Sequence, residues 1–289
     1  MQPAKRQRPK GQKKSRKYSL WEILACGAFA TLFLGVGLYF ALSYLNQSSL
    51  SNSSRESLPK AAIVDHLSIS QPNQTFTEEA TALLNEAGFV VDYYKGELVT
   101  VEFYRNLPRH DYRLIILRVH CASYSPARRV LDFFTSELYS KSKHVEEQLK
   151  DRVTAVAFGP YEAYEEGDPV YFGITDKFVR FSMIGEFSDT MVIMMGCDGL
   201  RYDDMAAAFI EKGAEVYVGW SRLVSALHTD RVTIDLLRRF LIEEQTIEQA
   251  ITAAMDELGA DPDYESILLH YPDERGDFTA REILNEQRN

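Results

Sequence analysis

The chain has 289 residues, 45% hydrophobic, 26% charged and 12% aromatic, with 16 Gly and 10 Pro; this excludes a collagen-like, low-complexity or wholly disordered chain. The net charge of −10 is unevenly spread: residues 1–18 carry eight basic side chains and no acid, whereas residues 46–289 carry 24 basic and 41 acidic ones, a net of −17 that argues against a nucleic-acid partner. Three cysteines exclude a disulfide scaffold and a four-cysteine zinc site.

Residues 23–45 (ILACGAFATLFLGVGLYFALSYL) carry no charge. About 20 apolar helical residues cross a hydrocarbon core, so this stretch is long enough to span a membrane. It is longer than the apolar region of a cleaved signal peptide, and the expectation is an uncleaved signal anchor over 19–45. The eight basic residues lie in the tail, 1–18, and the other flank has only Arg55. Lys and Arg stay on the cytoplasmic side, so the N-terminus is expected inside and residues 46–289 outside. Residues 46–60 read as a flexible Ser/Asn-rich linker. Asn46, Asn52 and Asn73 each begin an N-x-Ser/Thr sequon.

The remainder, 61–289, has the size of one α/β domain. Short apolar runs at 61–67, 89–94, 112–120, 190–197 and 214–220 read as buried strands. Their continuous rather than alternating hydrophobicity predicts a parallel sheet covered on both faces. Helical spacing marks 75–87, with Gly88 as its stop, a short helix or turn at 99–106, a helix at 203–212, and two amphipathic helices at 232–244 and 246–258. The segment 121–185 is less regular. Its strand-like pieces, 153–159 and 170–174, predict an insertion with a β-hairpin. The expected fold is an open, mostly parallel α/β sheet flanked by helices.

In open α/β sheets, ligands bind beyond the carboxyl ends of the strands. His120 ends one apolar run and Cys197 another. If those strands are neighbours, an imidazole and a thiol share one cleft. The imidazole then takes the thiol proton and makes a nucleophile. Gly196 and Gly199 allow a tight turn, and the backbone N–H groups of Gly196, Cys197 and Asp198 are candidate oxyanion donors. His66 ends the first strand and is a site-lining candidate. Taken singly, such a Cys is more often a small buried hydrophobe and such a His a satisfied polar cap. A further alternative is a disulfide between Cys121 and Cys197, the two cysteines outside the apolar segment. His228 with Asp230 lacks a third metal ligand at helical spacing, and the acidic run 162–168 lacks an ordered calcium loop, so both read as structural. No cofactor is called for.

The stretch 194–224 (MMGCDGLRYDDMAAAFIEKGAEVYVGWSRLV), with His120 ending an earlier strand, resembles the caspase–gingipain superfamily of cysteine peptidases, in particular its gingipain-like and CHAT-type branch. The resemblance covers roughly 61–258. It implies a central parallel sheet and a His120/Cys197 dyad acting on a protein or peptide substrate. Cys121 stands where the family places Gly, and the spacing of 77 residues requires the insertion. Two other functions fit parts of the pattern. One is a non-catalytic binding or sensing module on the same fold. The other is a sortase-like transpeptidase, which needs a β-barrel.

Overall fold

The computed structural model describes residues 58–123, 131–158 and 167–284. The expected signal anchor, the basic tail and most of the linker lie outside the described residues. Among the described residues, no helix is long and apolar enough to cross a membrane.

The main sheet has six strands: β1 (Lys60–Asp65), β2 (Val90–Lys95), β3 (Tyr112–Arg118), β8 (Thr190–Met194), β9 (Ala214–Trp220) and β10 (Leu268–Tyr271). Their order is β2-β1-β3-β8-β9-β10, parallel except for antiparallel β10. The five expected strands are all present and lie in this one sheet. A second, antiparallel sheet contains β4 (Cys121–Ser123), β5 (Leu131–Leu138), β6 (Val153–Ala157) and β7 (Val170–Ile174), in the order β4-β5-β7-β6. The insertion after His120 thus includes the expected antiparallel pair, β6 and β7, within a four-stranded layer.

Strand alternation sends successive side chains to opposite faces. Ile63, Ile116, Ile193 and Val218 are cross-strand neighbours and form one row. That face packs against α1 (Gln74–Glu86), α6 (Ala226–Leu237) and α7 (Ile247–Leu258) through Phe76, Leu84, Val232, Leu236 and Ala250. Val64, Leu117 and Met194 form the matching row on the opposite face. There they meet α2 (Val101–Asn106), α4 (Asp176–Ser182), α5 (Asp204–Glu211) and the second sheet, through Tyr104, Phe178, Phe209 and Phe133. With both faces covered, the middles of the central strands are continuously apolar, and truncating Ile116 to Ala costs about 2–5 kcal/mol.

Helix ends follow local chemistry. Asn73 caps α1 by accepting the Phe76 N–H at 3.1 Å, and Gly88 ends that turn at φ +92°. Thr246 and Gln249 form a reciprocal capping box at the start of α7. The helix expected at 232–244 begins instead at Ala226, continues to Leu237 and ends in a π-helical turn, Arg238–Ile242.

Candidate active site

The chain leaves β1 for β2 on one side, then returns to β3 on the other side of β1. The carboxyl ends of β1 and β3 therefore flank the topological switch point, where ligands of open α/β sheets bind. His66 follows β1 there and His120 follows β3.

Cys197 follows the next strand, β8, which stops at Met194, short of the expected 197. Leu117 pairs with Met194, so His120 and Cys197 each lie three residues beyond a common rung. The Met195 N–H continues the ladder to the Leu117 carbonyl at 3.0 Å. Beyond it the two chains close together at Gly196. A β-carbon on Gly196 would collide with the Val119 carbonyl oxygen and lie 2.8 Å from Cys121 Sγ. Gly is required by this close approach.

The N-terminal turns of α6 fix both strand ends. Thr229 Oγ1 donates to the Met195 carbonyl at 2.9 Å and accepts from Trp220 Nε1 at 2.8 Å. Asp230 receives the buried Arg118 guanidinium bidentately, at 2.7 and 2.9 Å. Arg118 also donates to Asp65 at 2.8 Å and to the Gln71 carbonyl at 2.9 Å. Adjacent helix residues thus grip Met195, two before Cys197, and Arg118, two before His120. The His228–Asp230 motif is this bracket. His228 itself is buried with its ring 5.4 Å from Trp220. The Asn73 sequon is part of the same network, since its amide nitrogen donates to Asp230 at 2.8 Å.

His120 Nε2 shares a hydrogen bond of 2.9 Å with Ser70 Oγ. Its carbonyl accepts the Phe134 N–H at 3.0 Å, which fastens the second sheet to the segment that follows β3. Burial first, and the Arg118 charge second, push its pKa down to about 4. His66 is buried beside it, with ring centres 5.8 Å apart and edge to face. Burial and the neighbouring His120 bring His66 to about 4 as well. Both imidazoles are neutral at pH 7.

Cys197 Sγ donates to the Val224 carbonyl at 3.7 Å. Burial raises its pKa above the ordinary thiol value. Asp198 follows in the left-handed region at φ +57°, making a sharp turn directly after the thiol. Its N–H donates to the Arg222 carbonyl at 2.8 Å, which narrows the candidate oxyanion donors to Gly196 and Cys197. Gly199 packs against Gly219, where a β-carbon would meet backbone at 3.3 Å. Cys121 and Cys197 are both free thiols, so the disulfide alternative is not realised. Cys121 lies beneath the edge; burial first, then the nearby Cys197, drives its thiol pKa well up.

The sequence reading thus placed His66, His120, Gly196 and Cys197 at one sheet edge. It missed Ser70, Phe134 and Phe158. Ser70 carried no signal in its polar loop. Phe133 and Phe134 are adjacent, so strand alternation required one on each face. No family model matches the chain, and no curated protein matches it.

Proposed function

We propose that this chain is a membrane-anchored, extracytoplasmic cysteine peptidase of the caspase–gingipain type. Cys197 is its nucleophile and His120 its general base. The observation that carries this proposal is the shared rung of β3 and β8, which ends both strands at one edge with His120 and Cys197 in equivalent positions. The uncharged 23–45 segment and the one-sided basic tail support the anchor and its orientation. Residues 46–289 then face the outside.

Both groups rest neutral: a protonated thiol at Cys197 and an unprotonated imidazole at His120. The Ser70 hydroxyl hydrogen-bonds Nε2 and orients the ring, and the ring nitrogen that carries no proton accepts the one from the thiol. As Cys197 sulfur attacks the scissile carbonyl, the thiol proton passes to His120 and a C–S bond forms. The N–H groups of Gly196 and Cys197 stabilise the oxyanion. Collapse breaks the C–N bond, and the leaving amine takes the proton from His120. Water, deprotonated by the same imidazole, then hydrolyses the thioester.

The Cys197 hydrogen bond to Val224 favours a second reading, a non-catalytic binding module on the same fold. The open α/β sheet lends no support to a sortase-like barrel. Peptide turnover by the full chain decides between the two. The peptidase loses turnover in both Cys197→Ala and His120→Ala while keeping its fold. Absence of turnover in the wild type against a diverse peptide mixture favours the module. Digestion of the domain by protease added to intact cells tests the topology, and full protection reverses it.

A further inference from the structure

Phe158 follows β6 and stands on the second sheet at the edge of the cleft. Its ring stacks on Phe134 at 4.9 Å and 22°, and lies nearly parallel to His66 at 6.4 Å and 19°. Tyr171 supports it edge to face at 5.5 Å. The His120 imidazole meets it edge to face at 4.9 Å. Phe134, beneath, is 2% exposed, whereas Phe158 is 43% exposed. Four aromatic rings therefore hold one large apolar ring in place, with part of it in water and another part against the general base. Burial of Phe158 does not account for this arrangement, because much of the ring stays wet.

We propose that Phe158 is a specificity-determining residue: its open surface takes an aromatic or large apolar side chain of the peptide substrate, at the residue adjoining the scissile bond. This rests on the peptidase reading above. A side chain lying on Phe158 is next to His120, and so next to the bond that His120 helps to break. Aromatic rings favour offset or edge-to-face contact with another ring and gain from the apolar area buried. Neutral His66 and His120 add no positive charge that would draw an acidic side chain instead.

The test uses peptidyl acyloxymethyl ketones identical except for the residue adjoining the ketone, which is Phe, Asp or Lys. Cys197 sulfur forms a thioether with the methylene carbon, the carboxylate leaves, and the thiol proton goes to His120. The rate of adduct formation on Cys197 of the full chain is read by mass spectrometry. The Phe probe is expected to label on the order of ten-fold faster than the other two. Phe158→Ala brings its rate to theirs, and Phe158→Leu, which keeps apolar bulk, gives an intermediate ratio. Circular dichroism confirms that each variant is folded. If His120-dependent labelling ranks the Asp or Lys probe first, or if the ranking survives Phe158→Ala, the subsite is overturned and the peptidase reading stands. If no probe labels Cys197, or labelling is unchanged in His120→Ala, the peptidase reading falls and the subsite with it.

Discussion

The backbone of Val119 touches Gly196, and each residue immediately precedes one member of the His120/Cys197 pair. A β-carbon at Gly196 has no space, because the obstructing atom is the backbone carbonyl of Val119, just beyond β3. Gly196→Ala must push β3 and β8 apart where the imidazole and thiol sit. The expected cost is about 1–3 kcal/mol of overpacking, measured by denaturant unfolding. Adduct formation on Cys197 should fall in the same variant. A stable, fully reactive Gly196→Ala protein would show that the two strand ends are not held this closely.

The α6 bracket predicts a graded pair of losses. Asp230→Asn leaves the buried Arg118 charge without its bidentate partner, at a cost of about 3–5 kcal/mol. Thr229→Val leaves the Trp220 N–H and the Met195 carbonyl unpaired, at about 1–3 kcal/mol. Chemical denaturation measures both, and Asp230→Asn should be the more damaging.

The network also explains how much was legible in the sequence. β1, β3, β8 and β9 were readable because strands buried on both faces carry continuous apolar runs, as in AAIV of β1 and MVIM of β8. The start of α6 was not. His228, Thr229 and Asp230 look like a polar turn, and their burial makes sense only once Arg118 and Trp220 arrive from distant strands. β10 was missed for a related reason: it is an antiparallel edge strand, LLHY, with Leu269 partly in water. His120 and Cys197 were expected to end their strands, but β3 stops at Arg118 and β8 at Met194, so both residues lie in the segments just beyond. Their register required the sheet order, and Ser70 required the loop after β1 to fold over His120.

Ser70 holds the His120 ring through a single exposed hydrogen bond. One such bond contributes about 1 kcal/mol. Ser70→Ala is therefore expected to slow Cys197 labelling by about five-fold, with a loss of stability of no more than about 1 kcal/mol. Ser70→Thr, which keeps the hydroxyl, should restore most of the rate. Equal rates in all three proteins would remove Ser70 from the site.

Acid stability follows from the two imidazoles. In the unfolded chain a histidine takes its proton near pH 6.5, whereas His66 and His120 in the fold take theirs at about 4. Between those values the unfolded state binds more protons, so stability is lost as pH falls from about 6.5 to about 4 and is fully present above that window. For buried His66 the slope approaches about 1.4 kcal/mol per pH unit, and half-buried His120 contributes less. Unfolding free energies of wild type and His66→Gln between pH 4 and 8 test this. The variant should show the shallower slope, and parallel curves would contradict it.

The central claim is that His120 activates Cys197 across the ends of β3 and β8. Its most direct measurement is the pH dependence of Cys197 adduct formation with the Phe-bearing acyloxymethyl ketone, in wild type and His120→Ala. A neutral resting pair predicts a wild-type rate with no inflection between pH 5 and 8, at least ten-fold above that of His120→Ala throughout. Equal rates in the two proteins, or a thiolate that titrates independently of His120, would contradict it.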